Sequence, residues 1–395
     1  MRKGLWMVKK GKNQADVVTL VEKITYDAID AGASDIHFEP TAENMIIKFR
    51  LDGELKAVDI VPKSLSDNVI ARLKVLAHLL TYRNDIPQEG RIAAYDKAHE
   101  SKVIDKRLAI FPTIHGQRAV VRLFYEDAEL TDLEKLGLCD FICSAIRDIA
   151  GQNQGVLLLT GPAGSGKSTT LAAILRYIGR EFPGRSIVAL EDPVERHIQG
   201  VTQIEISPQL NGPGAMSYPV ALRSLLRQDP QVLMIGEIRD AETARIVIEA
   251  GLTGHLLMST LHSGTPAGAL LRLLEMGIEP YQVTSSISAI LSQRLVRKLC
   301  TKCRQRNLHD GRFEAVGCES CFQTGFRGRS LVAEMVQLDG GLRKAILAKA
   351  DMDELMQILK ARGHMSLLQD SARLISQGIT TEDEVSKICG RAVTE

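Results

Sequence analysis

The residues with the clearest chemical signature form a glycine-rich loop. Eight consecutive residues match the pattern G-x-x-x-x-G-K-[ST] at every fixed position: Gly161, Pro162, Ala163, Gly164, Ser165, Gly166, Lys167 and Ser168. The apolar run 156–160 precedes the loop and is typical of a buried strand, and the run that begins at Thr169 has helical spacing. A strand, a glycine-rich loop and a helix form the context in which this pattern binds phosphates. The sequence therefore predicts a nucleoside triphosphate site, and a chance glycine-rich turn is disfavoured.

Each part of this loop has an expected role. Its glycines allow backbone N–H groups to face phosphates, and the following helix adds the positive end of its dipole. We expect Lys167 to reach the β- and γ-phosphates, the Ser168 hydroxyl to ligate Mg²⁺, and Thr169 to complete the nucleotide-binding segment. The predicted ligands are ATP and Mg²⁺.

Acidic residues follow two further apolar runs. Glu191 ends the run 187–190, and Glu237 follows the run 232–235 after one glycine. Hydrolysis of a phosphoanhydride needs one carboxylate for the metal and one to orient or deprotonate water. Each residue alone could instead be a helix cap. The presence of two such residues beside a phosphate loop favours catalysis.

Four of the seven cysteines form two C-x-x-C pairs separated by residues 304–317: Cys300, Cys303, Cys318 and Cys321. This spacing is typical of a tetrahedral Cys₄ zinc site, in which thiolates fill all four positions and the metal is structural. The alternatives are four unligated thiols or a zinc ribbon that binds nucleic acid, and sparse aromatic and basic residues disfavour the ribbon. Cys139 and Cys143 are four residues apart on a predicted helix and are expected in the core.

Composition narrows the class of protein. The chain has 395 residues, 45% of them apolar, with 49 Lys+Arg against 48 Asp+Glu. These values exclude global disorder and give no support for a nucleic-acid-binding tail. No apolar run approaches the roughly 18–20 residues that span a bilayer, and the basic N-terminus lacks a signal-peptide core. We therefore expect a cytosolic protein that meets the membrane only through partners, without direct nucleic-acid binding.

The helices and strands predicted around these groups belong to two domains of an α/β protein. Residues 1–125 mix helical patterns (17–31 and 64–80) with alternating strand patterns, which predicts an α+β domain. Residues 126–134 are predicted to be a linker or the start of a helix through Leu136.

Residues 135–395 alternate apolar strands and helices, as a doubly wound parallel sheet does. The predicted strands are 156–160, 186–190, 232–235 and 255–260, and the predicted helices are 169–179, 220–227 and 240–250. After residue 295 the pattern changes to a cysteine module, 297–326, and a helical tail, 342–395.

Several segments resemble the ATPases of type II secretion and type IV pilus assembly. Residues 190–195 (LEDPVE) resemble their acidic Asp box, and 227–240 resemble a variant Walker B motif with glycine before the glutamate. Residues 253–263 resemble their His box, and 33–40 with 86–91 match pieces of the preceding domain. The resemblance extends from about residue 14 to the C-terminus. It implies a RecA-like P-loop ATPase domain preceded by a smaller α+β, PAS-like domain.

The resemblance also implies an assembly and residue roles. Members form a homo-hexamer, with ATP between the N- and C-domains, and act on an inner-membrane platform protein. Glu191 would activate water, Glu237 would act at Mg²⁺ and water, and His262 would sense the γ-phosphate. The remaining roles concern phosphate contacts: Arg107 and Arg122 from the N-domain, and Arg223 and Arg227 from the C-domain. His37 and His255 are expected to be structural. The protein is expected to be cytoplasmic and to associate peripherally with the inner membrane through partners.

Two features of the sequence bear on its place within this family. Many members carry a further N-terminal docking domain, whereas this sequence starts at the second domain, which predicts a short member or a truncated form. A Cys₄ module is expected in assembly and secretion ATPases, while retraction ATPases usually lack it. The remaining hypotheses are a pilus-retraction or conjugation-type ATPase and a non-catalytic, nucleotide-gated scaffold. A DNA motor is disfavoured by the near-neutral charge.

Overall fold

The computed structural model describes residues 14–92, 103–125, 132–206, 216–307 and 311–390. The chain divides into two compact units, Met1–Asp127 and Ala128–Glu395. Most of the predicted linker, 126–131, lies outside the described residues. Its last residues, 133 and 134, belong to a turn of 3₁₀ helix, Leu133–Leu136. Every helix in the described ranges is too short or too polar to span a bilayer.

The first unit is an antiparallel sheet with helices. Its six strands have the order β3-β2-β1-β6-β5-β4. Every second residue along a strand points to the core, as Ile36 and Phe38 do on β1, where they pack with Val21 of α1 and Val69 of α2. The elements are α1 Gln14–Ala31, β1 Asp35–Pro40, β2 Asn44–Leu51, β3 Glu54–Pro62, α2 Lys63–Leu76, β4 Gln88–Arg91, β5 Val103–Thr113 and β6 Gly116–Tyr125.

Helix α2 is shorter than the sequence pattern predicts. The apolar spacing extends to Leu80, but the helix ends at Leu76. Two residues later His78 adopts a left-handed conformation (φ 55°), which a continuing α-helix does not allow. The N–H groups of Ala77, His78 and Leu79 then close the end by bonding back to carbonyls of the last turn.

The second unit is organised around a seven-stranded sheet with the order β15-β12-β7-β11-β10-β8-β9, and only the β12–β15 pair is antiparallel. Alternate residues of β7 are buried on opposite faces of the sheet. Val156 and Leu158 pack in one hydrophobic core, and Leu157 and Leu159 pack in the other. The strands are β7 Gly155–Thr160, β8 Ile187–Glu191, β9 Thr202–Glu205, β10 Val232–Ile235, β11 Leu256–Leu261, β12 Ile287–Leu299, β13 Gln305–Arg306, β14 Phe313–Glu314 and β15 Phe326–Gln337. The α-helices are α3 Asp140–Ala150, α4 Lys167–Glu181, α5 Tyr218–Leu225, α6 Ala241–Leu252, α7 Pro266–Glu275, α8 Pro280–Ser286, α9 Gly340–Leu347, α10 Met352–Ala361, α11 Leu367–Ser376 and α12 Glu382–Cys389.

The sheet extends beyond the strands predicted from the sequence. The predicted strands correspond to β7, β8, β10 and β11, whereas β12 and β15 were not predicted. β12 pairs in parallel with β7 and in antiparallel with β15, so the β-structure continues past residue 295 and flanks the cysteine module. Polar residues in the middle of β12, among them Gln293, interrupt the apolar run that marks the other buried strands.

The helical tail is attached to the sheet by a buried ion pair. Arg297 on β12 donates to both carboxylate oxygens of Glu384 on α12, at 2.9 and 2.5 Å. The Glu384 side chain is 3% exposed, and the Thr380 hydroxyl adds a hydrogen bond to the Arg297 carbonyl. Removing one partner of such a pair costs about 3–5 kcal/mol of stability, because the other charge stays buried. This part of the tail is therefore an integral part of the second unit.

Candidate functional site

The phosphate loop connects β7 to α4. Gly161, Gly164 and Gly166 have φ angles of +145°, +75° and +89°, which glycine adopts without the steric cost of a Cβ. The Lys167 ammonium donates to the carbonyl oxygens of Gly161 and Pro162 at 2.8 and 3.0 Å. Burial lowers the pKa of Lys167, and the neighbouring Glu237 opposes that shift. The Lys167 ammonium is therefore held by carbonyl oxygens of the loop to which it belongs.

The predicted magnesium ligand lies at the start of α4. The helix begins at Lys167, two residues before the predicted boundary, so Ser168 and Thr169 belong to its first turn. Ser168 is exposed and Thr169 is half-buried, whereas Ser165 within the loop is buried. The first turn of a helix presents unpaired N–H groups and a positive dipole end. An exposed hydroxyl at this place fits a metal ion that also binds phosphate.

Glu237 lies at the centre of a network of polar and charged side chains. Its Oε1 is 2.9 Å from His262 Nε2, and its Oε2 accepts from Arg239 Nε at 3.0 Å. Arg239 also donates to Asp192 Oδ2 at 3.1 Å. Since β7, β11, β10 and β8 are neighbours in the sheet, their carboxyl ends bring these groups to the edge where the phosphate loop starts. Arg239 lies within the Walker B-like segment 227–240, yet no local pattern predicted its contacts with Glu237 and Asp192.

The glycine before Glu237 has a steric reason. A Cβ at Gly236 would lie 3.1 Å from the Tyr218 hydroxyl oxygen and 3.4 Å from the Leu190 carbonyl oxygen. Burial and the nearby Asp192 raise the pKa of Tyr218, so the phenol stays protonated. Tyr218 therefore packs against the backbone that carries Glu237, a contact that no local sequence pattern indicated.

Glu191 has a different environment from Glu237. It lies at the end of β8 and accepts a hydrogen bond from Gln203 Nε2 at 2.8 Å. Burial raises the pKa of Glu191, and the Gln203 bond partly opposes this effect. Gln203 also bonds to the Arg196 carbonyl and to the Ile198 N–H, which fixes its orientation. A carboxylate with a raised pKa at the edge of this site is suited to accept a proton.

The two predicted arginines of the second unit lie on and after α5. Arg223 is on this helix and donates to Glu242 of α6 at 2.7 Å, with its side chain 52% exposed. Arg227 is exposed and follows the helix. Among the described residues, the hydrogen-bond partner of Arg223 is Glu242 and not Glu191 or Glu237.

The two predicted arginines of the first unit form a cross-strand pair. Arg107 on β5 lies directly opposite Arg122 on β6. Arg107 Nε donates to Asp105 at 3.1 Å, and Arg122 Nε donates to Asp35 at 3.0 Å. The carboxylate of Asp35 is 7% exposed, whereas the Arg122 side chain is 64% exposed. Asp35, which is buried, and Asp105, which is half-buried, therefore hold guanidinium groups on the outer face of this sheet. No local sequence pattern predicted these two contacts.

The four predicted metal ligands come together between β12 and β15. The ligand atoms of Cys300, Cys303, Cys318 and Cys321 all lie within 4.8 Å of one another. Their Sγ atoms approach to 3.9 Å (300–318), 3.8 Å (303–321) and 3.7 Å (318–321), and the cysteines are free thiols. Tetrahedral zinc–thiolate bonds of about 2.3 Å place sulfurs about 3.8 Å apart. Burial would raise the pKa of Cys321, but the N–H groups of Cys318 and Gly325 outweigh it and lower the pKa to about 6. The cluster could hold a metal ion.

The comparison with protein families covers both units. Residues 10–387 match the family model of the type II/IV secretion system proteins. The chain belongs to this family. Within the family, it is 38% identical over 374 residues to the type II secretion system protein HxcR of Pseudomonas aeruginosa, which covers 95% of this chain and 77% of HxcR.

A pilus protein and a protein of solved structure are also similar to this chain. The type IV pilus assembly ATPase PilB of Thermus thermophilus is 35% identical over 382 residues, which is 92% of this chain and 42% of PilB. The X-ray structure of the Legionella pneumophila ATPase DotB superposes with a TM-score of 0.70 and 21% identity, and covers 98% of both chains. At this identity the likeness concerns the fold, which is the α/β, RecA-like fold predicted from the sequence.

Proposed function

We propose that this chain is the ATP-hydrolysing motor that powers assembly of a pseudopilus for type II secretion or of a type IV pilus. The chain is an ATPase of the secretion and pilus-assembly family. One observation carries the proposal: the phosphate loop, Glu191, Glu237 and His262 share one edge of the parallel sheet. That edge is where ligands bind in open α/β sheets.

The phosphate loop would bind the triphosphate of ATP. Lys167 exchanges the carbonyls of Gly161 and Pro162 for the β- and γ-phosphate oxygens, and the loop's N–H groups bind the remaining oxygens. The Ser168 hydroxyl and Glu237 would hold Mg²⁺, which neutralises negative charge on the phosphates. His262 Nε2 lies 2.9 Å from Glu237 Oε1, so the imidazole is suited to detect a γ-phosphate beside that carboxylate.

Glu191 would orient and deprotonate the attacking water. Its raised pKa makes it a better proton acceptor than an ordinary solvated carboxylate. Gln203 donates to Oε1 of this carboxylate, which fixes the direction of the group. Arg239 keeps Glu237 and Asp192 in place by donating to both.

The arginines would stabilise charge on the transferred phosphoryl group. Arg107, Arg122, Arg223 and Arg227 supply guanidinium groups, whose planar forks match phosphate oxygens. In our proposal the working form is a homo-hexamer that pushes on an inner-membrane platform protein. The protein would be cytoplasmic and peripherally associated with that membrane.

The four cysteines would bind one structural zinc ion. Their sulfur separations fit a tetrahedral site, and four thiolates leave no coordination position for water. The expected zinc content of purified protein is one equivalent per chain. A metal-free protein with full thermal stability would contradict this part of the proposal and favour the retraction-type alternative.

The decisive experiment for the whole proposal is a replacement in cells. The Glu237→Gln form keeps the size of the side chain but loses its charge, so it is expected to bind ATP and hydrolyse it slowly. Loss of surface pili alone assigns the motor to pilus extension, and loss of released proteins alone assigns it to type II secretion. An increase in pili would identify a retraction motor, and unchanged pili and secretion would contradict the proposal.

A further inference from the structure

Gln293 lies on β12 directly beside the phosphate loop. Its side chain is fully buried (0% exposed), and its Nε2 donates to the Ser165 carbonyl at 2.8 Å, across 128 residues of sequence. A Cβ at Gly161 would lie 2.5 Å from the Gln293 carbonyl oxygen, and a Cβ at Gly166 would lie 3.3 Å from Nε2. Gln293 therefore contacts the loop near both of its ends, and the glycines allow this close approach.

The hydrogen bonding of this amide is incomplete. The Oε1 atom of Gln293 is buried and has no hydrogen-bond partner among the described residues, and the same holds for the Ser165 hydroxyl beside it. A buried amide with an unsatisfied oxygen is costly, and an apolar side chain of similar size removes that cost. Stability of the fold is therefore a poor explanation for glutamine at this position, and a functional role is a better one.

The hydrogen bond from Gln293 to the Ser165 carbonyl determines the direction of one N–H group in the loop. The Ser165 carbonyl and the Gly166 N–H belong to the same peptide plane and point in opposite directions across it. When Gln293 Nε2 holds the carbonyl toward β12, the Gly166 N–H points away from β12. Backbone N–H groups that converge on one side are what a phosphate loop offers its ligand.

We infer that Gln293 is a positioning residue that holds the phosphate loop in its nucleotide-binding conformation. The inference rests on the proposed function and names a residue outside the loop motif. The next residue reinforces the arrangement: Arg294 donates to the Gln293 carbonyl at 2.9 Å and to the Gly264 carbonyl at 2.7 Å. Because Gly264 follows His262 by two residues, the backbone of Gln293 is tied to the loop that carries His262.

The test is the Gln293→Leu variant, which keeps approximate size and removes the amide donor. We expect its dissociation constant for ATP, measured by calorimetry, to rise about 10-fold, because one hydrogen bond that orients the loop is lost. The expected kcat at saturating ATP changes less than about 3-fold, because Glu191, Glu237 and His262 are untouched. The melting temperature is expected to stay unchanged or to rise. Gln293→Glu, which cannot donate and adds a negative charge, should bind ATP still more weakly.

The matched control is Gln337→Leu, the same substitution at an exposed position at the end of β15, and it should bind ATP like the parent. Equal affinity of Gln293→Leu and the parent protein would overturn the inference. Loss of affinity together with a large drop in melting temperature would also overturn it, because the role would then be structural. If the parent protein itself neither binds nor hydrolyses ATP, the proposed function fails and this inference fails with it.

Discussion

The two units position charged groups by different physical means. In Ala128–Glu395 the candidate residues follow the carboxyl ends of neighbouring parallel strands, so the order β7-β11-β10-β8 brings them together. In Met1–Asp127 the arginines lie on the face of an antiparallel sheet, where cross-strand pairing sets their positions. A site at strand ends depends mainly on backbone topology, whereas a site on a sheet face depends on its ion pairs.

The arginine row of the first unit illustrates the second case. Arg91, Arg107 and Arg122 occupy directly paired positions on β4, β5 and β6, and Asp35 of β1 continues the row. Asp105 binds Arg91 and Arg107, each at 3.1 Å, and Asp35 binds Arg122 and also Arg50. Like charges in direct opposition repel, and each carboxylate offsets that repulsion for two guanidinium groups. Side-chain substitutions should therefore affect the two units differently.

The largest effect is expected at the phosphate loop. Lys167→Ala removes the only cation that the loop itself supplies, and ATP turnover should fall at least about 1,000-fold. Steady-state phosphate release checks this prediction, with Arg272→Ala on the exposed side of α7 as the control. Turnover within about 10-fold of the parent would place the nucleotide site elsewhere.

A substitution of Arg122 tests whether the first unit takes part in the chemistry. Arg122→Ala leaves the phosphate loop intact, and we expect kcat to fall about 100-fold because charge stabilisation on the phosphoryl group is lost. Arg122→Lys should recover only part of this loss, because an ammonium group lacks the planar fork. Unchanged kcat in both variants would show that the sheet face is not catalytic.

A milder effect is expected when the carboxylate behind that arginine is changed. Asp35→Asn keeps the shape of the side chain but weakens its bond to Arg122 Nε, and kcat should fall about 10-fold. The affinity for ATP is expected to stay within about 3-fold of the parent. Glu54→Gln, an exposed position on β3, serves as the control. If Asp35→Asn lowered kcat as much as Arg122→Ala, the substitution would have disordered the whole sheet face of the first unit and not only the Asp35–Arg122 contact.

The smallest effect concerns pH. Burial raises the pKa of Glu191 above its ordinary value of 4.5, and the residue must be ionised to accept a proton. The acid limb of the kcat profile should therefore lie above pH 4.5, with activity falling as the pH falls through that limb. Gln203→Leu removes the hydrogen bond that favours the ionised form, so it should move this limb to higher pH. A shift to lower pH would contradict the assignment of Glu191 as the base.

Local sequence patterns were sufficient for much of the second unit. The strand before the loop, the loop itself and the helix after it are consecutive, so the pattern from residue 156 to Thr169 specified all three. The strand 232–235 ends two residues before Glu237, and the cysteine spacing predicted a cluster that the structure forms. These features depend on neighbours along the chain, where residue type and backbone geometry act directly.

The contacts between distant segments could not be predicted in this way. The sequence did not indicate that β12 lies next to β7, that Gln293 contacts Ser165, or that Tyr218 packs against Gly236. Likewise, no pattern near Arg122 identified Asp35, which is 87 residues away, as its partner.

Short segments of the sequence were enough to predict ATP hydrolysis and a metal site, because a phosphate loop, two carboxylates at strand ends and two C-x-x-C pairs each lie within a few consecutive residues. The side chains that surround these groups come from distant segments, so they depend on the tertiary structure. Strand order and cross-strand pairing result from the burial of apolar faces across the whole chain, and many pairings satisfy the same local preferences. The free energy of the assembled core selects one of them.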